Sequence, residues 1–322
     1  MRRFVPFALL ALLLAAAIGG AAYAGRDSVT RFATLPAGQP GHPEGIAADP
    51  RGNIYAASFD FSGNNNIYVF GADGALADTI ALSGHVPLGM QWGPDGRLYV
   101  ADFGTGAVLQ VQVASHKVRS FPICTGAGST CALNAIAFDG AGTLYVSDSF
   151  GGRIFTLDTK TGVSAQYFQS GSLVPGSHGF PPFGANGIAF DASGNLYIAN
   201  TADDRVFKLS PAKQLSTFTE SINGADGINF DSLGRLWVCA NQENTLYLLD
   251  ANGRVVDIRG TYEGPDTDGA PRGLLFPASI VFSGSNAYVT NSALDFRHFF
   301  ADEPAGGFTR FTISRVPVGP TQ

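Results

Sequence analysis

Residues 185–209 read ANGIAFDASGNLYIANTADDRVFKL. A short apolar run ends at Asp191-Ala192-Ser193-Gly194, four residues that favour a tight turn. Asn195-Leu196-Tyr197-Ile198-Ala199-Asn200 then alternates as a half-buried strand, and the polar residues 201–205 turn the chain into a third strand. This is one up-and-down antiparallel unit, too small to bury its own faces.

The unit recurs. Tyr55, Tyr99, Tyr145, Tyr197, Trp237 and Tyr288 occupy the same slot of six strands, spaced about 40 to 52 residues apart. Each strand follows a turn: DPRG, GPDG, DGAG, DASG, DSLG and a less regular SGS. Third strands are expected at residues 67–70, 108–111, 154–157, 206–209, 246–249 and 308–313. Fourth strands follow the first five, near 77–82, 117–122, 164–168, 215–219 and 255–259. The sixth unit runs out of chain after its third strand, while residues 27–34, DSVTRFAT, form a spare strand at the other end. Lending that strand to the last unit completes six four-stranded blades. The expected fold is all-β: a six-bladed β-propeller closed by an N-terminal strand, over a single domain of residues 25–322.

Composition agrees with this. Of 322 residues 41 are Gly, only 14% are charged, and 11% are aromatic. Residues 1–24 begin with Arg2 and Arg3, continue as an apolar run and end in small residues up to Ala24. That is the pattern of a secretory signal peptide, and the apolar run is short of the ~20 residues of a membrane span. The expected location is extracytoplasmic, secreted or periplasmic. Removing two of the 20 basic residues leaves 18 against 26 acidic ones, a net charge of −8. An acidic chain without a basic stripe fits neither nucleic acid nor an anionic membrane as partner, and a small-molecule ligand is expected instead. Cys124 and Cys131, with six residues between them, suit a loop-pinning disulfide in an exported protein. Cys239 lies in an apolar strand and reads as a buried thiol.

Connections between first and second strands, and between third and fourth, are short, whereas residues 170–185, 262–278 and 293–307 form long ones. In up-and-down blades the long joints share one face, the face on which every innermost strand begins, and binding loops belong there. The residue that opens each innermost strand is Glu44, Leu88, Asn134, Asn186, Asp226 or Ala278. Turn geometry alone accounts for Asn, Asp or Glu before Gly at any one position. Four repeat-equivalent oxygen donors facing one axis carry more weight. Two carboxylates and two amides, without His or Cys, suit Ca²⁺, with Mg²⁺ or Mn²⁺ as alternatives.

With Pro43-Glu44-Gly45, Asn134, Ala185-Asn186-Gly187 and Ala225-Asp226-Gly227 in place, the chain resembles the senescence-marker-protein/gluconolactonase family over about residues 30–315. That family includes regucalcin and bacterial lactonases. More distantly the chain resembles diisopropyl-fluorophosphatase and the paraoxonases. The resemblance implies that Glu44, Asn134, Asn186 and Asp226 surround a divalent metal, often calcium. It also implies that Asp226, or a water beside it, is the base or nucleophile. Asn134-Ala135 departs from the Asn-Asp common in such lactonases. The repeat also looks like NHL repeats, whose propellers often bind partners without catalysis. Two functions are therefore expected to compete: a metal-dependent lactone or ester hydrolase, and a non-catalytic NHL-type propeller binding a protein or glycan. A propeller like strictosidine synthase fits less well, because that group typically lacks the oxygen quartet.

His85, His178 and His298, with Phe180 and Phe183, fall in the decorated loops and are weaker candidates for substrate contact or a lid. Asp102, Asp148 and Asn200 end second strands and are expected to cap turns near the same rim. No G-x-S-x-G, P-loop or H-E-x-x-H motif is present.

Overall fold

The computed structural model describes residues 29–319 apart from 39–40, 62, 125–130, 178–180 and 296–306. The expected signal peptide, His178, Phe180 and His298 lie outside the described residues.

Six four-stranded antiparallel sheets make up the fold. Blade 1 is His42–Ala48, Ile54–Phe59, Asn64–Phe70 and Leu76–Ser83. Blade 2 is Pro87–Trp92, Leu98–Asp102, Ala107–Gln112 and Lys117–Pro122. Blade 3 is Leu133–Phe138, Leu144–Asp148, Arg153–Leu157 and Ser164–Gln169. Blade 4 is Ala185–Phe190, Leu196–Asn200, Arg205–Leu209 and Leu215–Glu220. Blade 5 is Ala225–Phe230, Leu236–Ala240, Thr245–Leu249 and Val255–Arg259. Blade 6 takes Pro277–Ser283, Asn286–Asn291 and Thr312–Pro317, and its outer strand is the N-terminal Thr30–Thr34. The first and last strands of the ring thus share one sheet, which closes the propeller.

Hydrophobic burial is divided among the joints between blades. Tyr55, Ile67 and Ile80 of blade 1 pack on Met90, Leu98 and Leu109 of blade 2, and equivalent clusters fill the next four joints. At the closure, Ala33 and Ile313 of blade 6 meet Ile46, Ile54 and Phe70 of blade 1. No blade can bury its faces without two neighbours, so the ring closes or the chain stays open.

The recurring aromatic has a polar task besides packing. Tyr55, Tyr99 and Tyr197 donate their hydroxyls to Asp49, Asp95 and Asp191 at 3.3, 2.9 and 3.3 Å, and Trp237 donates its ring N–H to Asp231 at 2.9 Å. The same carboxylates accept turn N–H groups such as those of Asn53, Arg97, Asn195 and Arg235. The turn Asp and the strand aromatic are therefore one device, which explains why they recur together. Gly194, closing the Asp191 turn, has φ +79°, a conformation that a side chain disfavours.

Two details differ from expectation. The third strand of blade 6 is Thr312–Pro317, not residues 308–313. Its register, Asn291 opposite Thr312 and Asn286 opposite Pro317, follows the six-residue partner strand. Phe308 and Phe311 instead pack edge-on to Tyr262 and His42, the first residues of two other strands. The long connection after blade 5 also holds a hairpin of its own, Tyr262–Pro265 with Pro271–Gly273. Among the described residues no helix is long and apolar enough to cross a membrane.

Candidate metal centre

All six inner strands carry the same irregularity near their start. In blade 4, Ala185 faces Asn200 and Ile188 faces Ile198, so three steps on one strand match two on the other. The breaks in the other blades fall at Pro43/Ile46, Pro87/Met90, Leu133/Ile136, Ala225/Ile228 and Pro277/Ile280. Each is a β-bulge with two residues opposite one, a device that re-aims side chains. The first bulged residue is Glu44, Leu88, Asn134, Asn186, Asp226 or Ala278. In four blades the second is Gly, because a Cβ at Gly187 would run into the Asp226 carbonyl, and one at Gly45 into that of Leu88. The neighbouring backbones thus approach closely just where the site residues project.

Glu44, Asn134, Asn186 and Asp226 are 4 to 7% exposed and line one cavity of about 50 Å³. That volume admits a few water-sized groups, about 10–15 Å³ each. Asn241, which sequence reasoning missed, lines it too. It stands four residues after Trp237, where the other repeats have Phe59, Phe103, Ser149, Thr201 and Ser292. Comparing that second slot across the repeats would have found it.

This second slot orients the first. Asn134 Nδ2 donates to Ser149 Oγ at 3.2 Å, and Ser149 Oγ donates to the Ala185 carbonyl at 2.8 Å. Asn186 Nδ2 donates to Thr201 Oγ1 at 2.8 Å, and Thr201 Oγ1 donates to the Ala225 carbonyl at 2.7 Å. Each hydroxyl has one proton and spends it on the next blade's backbone, so it can only accept from the amide. Each amide nitrogen is therefore anchored on a hydroxyl, and neither hydroxyl engages the amide oxygen. Asn241 Nδ2 likewise donates to Asp226 Oδ2 at 2.9 Å.

The result is an unusual set of buried acceptors. Glu44 Oε2, Asn134 Oδ1, Asp226 Oδ1 and Asn241 Oδ1 are buried without a hydrogen-bond partner. No Lys, Arg or His is among the described residues lining the cavity. Burial pushes the Glu44 carboxyl well above its usual range, and the Asp226 charge adds to this. Burial likewise pushes Asp226 up, to about 7, against the hydrogen bonds from Asn241 and Asn186 that pull it down. A buried carboxylate without a counter-charge costs several kcal/mol. A hard cation bound among these oxygens would satisfy the orphaned acceptors and restore both carboxylates to their charged form. The residues present fit such an ion. Among the described residues no three His, Cys, Asp or Glu side chains group as a metal site, so any ion here would need amide oxygens for part of its ligation.

The other candidates divide. His85 does not line the cavity; its Nδ1 lies 2.6 Å from the fully buried Asp102, which also accepts the Val86 and Gly104 N–H groups. Asp148 accepts the Ala132 N–H, and Asn200 donates to the Ser172 carbonyl, so all three strand-end residues hold loops. Phe183 does line the cavity, with Pro181 from the same long loop. Ala135, at the departure from the lactonase pattern, lines a separate cavity of about 330 Å³ with Gly89 and Gly187. Cys239 is buried, its thiol pushed up by burial and by the Asp226 and Glu44 charges. Cys124 and Cys131 are joined, with Cα atoms 6.1 Å apart.

No protein-family model matches the sequence, and no curated protein matches it. Solved structures share the fold. A gluconolactonase from Xanthomonas campestris superposes with a TM-score of 0.64 at 14% identity, covering 92% of this chain and 93% of its own. A luciferin-regenerating enzyme gives 0.64 at 14%, covering 90% and 95%. Virginiamycin B lyase from Staphylococcus aureus gives 0.60 at 12%, covering 90% and 99%. At these identities the likeness is one of fold.

Proposed function

We propose that this chain is an exported, divalent-cation-dependent hydrolase of a lactone or related ester, with Ca²⁺ the best-suited ion and Mg²⁺ or Mn²⁺ the alternatives. The observation that carries the reading is the set of buried, partnerless oxygens on Glu44, Asn134 and Asp226 around one small cavity. Glu44, Asn134, Asn186 and Asp226 would hold the ion, with Asn241 positioning Asp226 from behind. A bound divalent cation supplies Lewis acidity to a substrate carbonyl.

The protein's own part is proton transfer and orientation. Asp226 Oδ1, free of protein partners while Oδ2 is held by Asn241, accepts a proton from water as the water oxygen bonds to the carbonyl carbon. The C–O bond of the ester then breaks. The alkoxide takes that proton from Asp226, and a hydroxy acid leaves when the substrate is a lactone, or an acid and an alcohol when it is an open ester. The amides of Asn134 and Asn186 cannot swing, because Ser149 and Thr201 pin their nitrogens. Export rests on residues 1–24, and the Cys124–Cys131 disulfide supports an oxidising compartment.

The test is hydrolysis of a lactone panel by chelated and calcium-restored protein, beside Asp226→Ala. Calcium-dependent turnover lost in the variant supports the reading. Calcium binding without turnover of any ester would assign instead the NHL-type role of binding a protein or glycan.

A further inference from the structure

The two slots that build the centre are filled unevenly around the ring. In blades 3, 4 and 5 the second slot holds Ser149, Thr201 and Asn241, beneath Asn134, Asn186 and Asp226. In blades 1 and 2 it holds Phe59 and Phe103, and the first slot of blade 2 is Leu88. All three apolar side chains line the same cavity as the buried oxygens. Val86, Phe183 and Leu294 extend the apolar wall. The cavity is therefore lined by carboxylates and amides of blades 1, 3, 4 and 5 and, in the same ring, by the hydrocarbon of Phe59, Leu88 and Phe103 from blades 1 and 2.

The apolar side continues outward as a chain of rings. Phe59 meets Phe61 at a centroid distance of 6.1 Å, and Phe61 meets Phe103 at 6.2 Å. Phe103 touches Phe183 at 6.3 Å and Phe150 at 5.8 Å. Phe61 is 76% exposed and Phe150 47%. Exposed rings continuous with a buried cavity form the kind of patch that marks a binding groove. The hydroxyls of a sugar-acid lactone laid on these rings would lose water and gain no partner, and two hydroxyls of the lining are committed to the backbone. The Thr201 hydroxyl is donated to Ala225, and that of Ser292 to the Pro43 carbonyl.

We infer that the ligand of this site is a neutral ester or lactone carrying an apolar alkyl or aryl arm, laid along Phe59, Phe61 and Phe103, and not a sugar-acid lactone. The reacting end of that ligand rests on the hydrolase reading above; the arm rests on the apolar wall alone. Each methylene placed on the wall should raise affinity about fourfold until the wall is covered.

The test uses the calcium-loaded full chain and two ligand series. Non-hydrolysable δ-lactams bearing alkyl arms of increasing length are titrated by calorimetry, beside gluconolactam. Affinity should climb with arm length, gluconolactam should bind more weakly than the long-arm lactams, and Phe61→Ser and Phe103→Ser should flatten the climb. Phe61 is exposed, so its replacement leaves the folded ring intact. A flat series, tighter binding of gluconolactam, or a slope unchanged in both variants overturns the inference. The matching lactones are then assayed for hydrolysis. A lactam slope without lactone turnover keeps the apolar-arm inference and removes the hydrolase reading. Turnover with no dependence on arm length in either series does the reverse.

Discussion

Asn241 donates from Nδ2 to Asp226 Oδ2 at 2.9 Å, while Asp226 Oδ1 is buried with no partner. The two oxygens of one carboxylate are thus divided between support and function, which separates two variants. Asp226→Asn removes both the proton acceptor and a charge facing the ion, and should lower kcat by about 10²–10⁴-fold. Asn241→Ala keeps the charge but frees the carboxylate, and should cost about 10–100-fold in calcium affinity or activity. Without cation, and above about pH 7 where Asp226 is charged, Asp226→Asn should melt at a higher temperature than the parent, because a buried unpaired charge is gone. Turnover assays, calcium titrations and melting curves in chelator check these three effects.

A pH dependence follows from the same burial. Asp226 is pushed up from 3.8 to about 7 and Glu44 well above 4.5, so the cation-free folded chain holds protons that the unfolded chain releases. Their contribution to stability is fully present below the unfolded values, near pH 4, and is lost as pH rises through about 7. The melting temperature of the chelated protein should therefore fall between pH 5 and pH 8. Added calcium, binding the charged forms, should raise it most at pH 8 and least at pH 5. Differential scanning calorimetry across that range, with and without calcium, tests the sign.

The blades were legible because a single antiparallel unit repeats its turn Asp and its aromatic, and the two are bonded, as in Asp231 and Trp237. Glu44, Asn134, Asn186 and Asp226 were legible as a set because one slot could be compared six times. Asn241 was not, since it stands on a different strand and matters only through its reach to Asp226. Residues 308–313 misled because Phe308 and Phe311 look like strand residues, while the hydrogen-bond register begins at Thr312. His85 looked chemical, but its partner Asp102 is below the surface of a loop that it helps to hold. Spacing cannot distinguish a histidine facing a cavity from one facing a strand end.

Thr201→Val tests whether the centre is held together from behind. The Thr201 hydroxyl bridges Asn186 Nδ2 and the Ala225 carbonyl, joining blades 4 and 5. Valine fills the same space but leaves a buried carbonyl and an amide donor without partners, at about 1–3 kcal/mol. The variant should unfold at lower urea concentration in chelator. It should also bind calcium more weakly, since the Asn186 oxygen is no longer aimed. Equal calcium affinity in variant and parent would mean that the bridge serves stability alone.

Gly187→Ala tests how far the centre depends on the distance between blades. A Cβ there meets the Asp226 carbonyl and lies 2.9 Å from Gly227 Cα, so the inner strands of blades 4 and 5 must part. Overpacking of this kind costs about 1–3 kcal/mol. The separation should also move Asn186 away from Asp226, so calcium affinity should drop with stability. Gly140→Ala is the comparison, because its Cβ would meet nothing within 4 Å. That variant should match the parent in both urea unfolding and calcium titration. If Gly187→Ala lost stability but kept full calcium affinity, the close approach of the strands would matter to the fold and not to the ion.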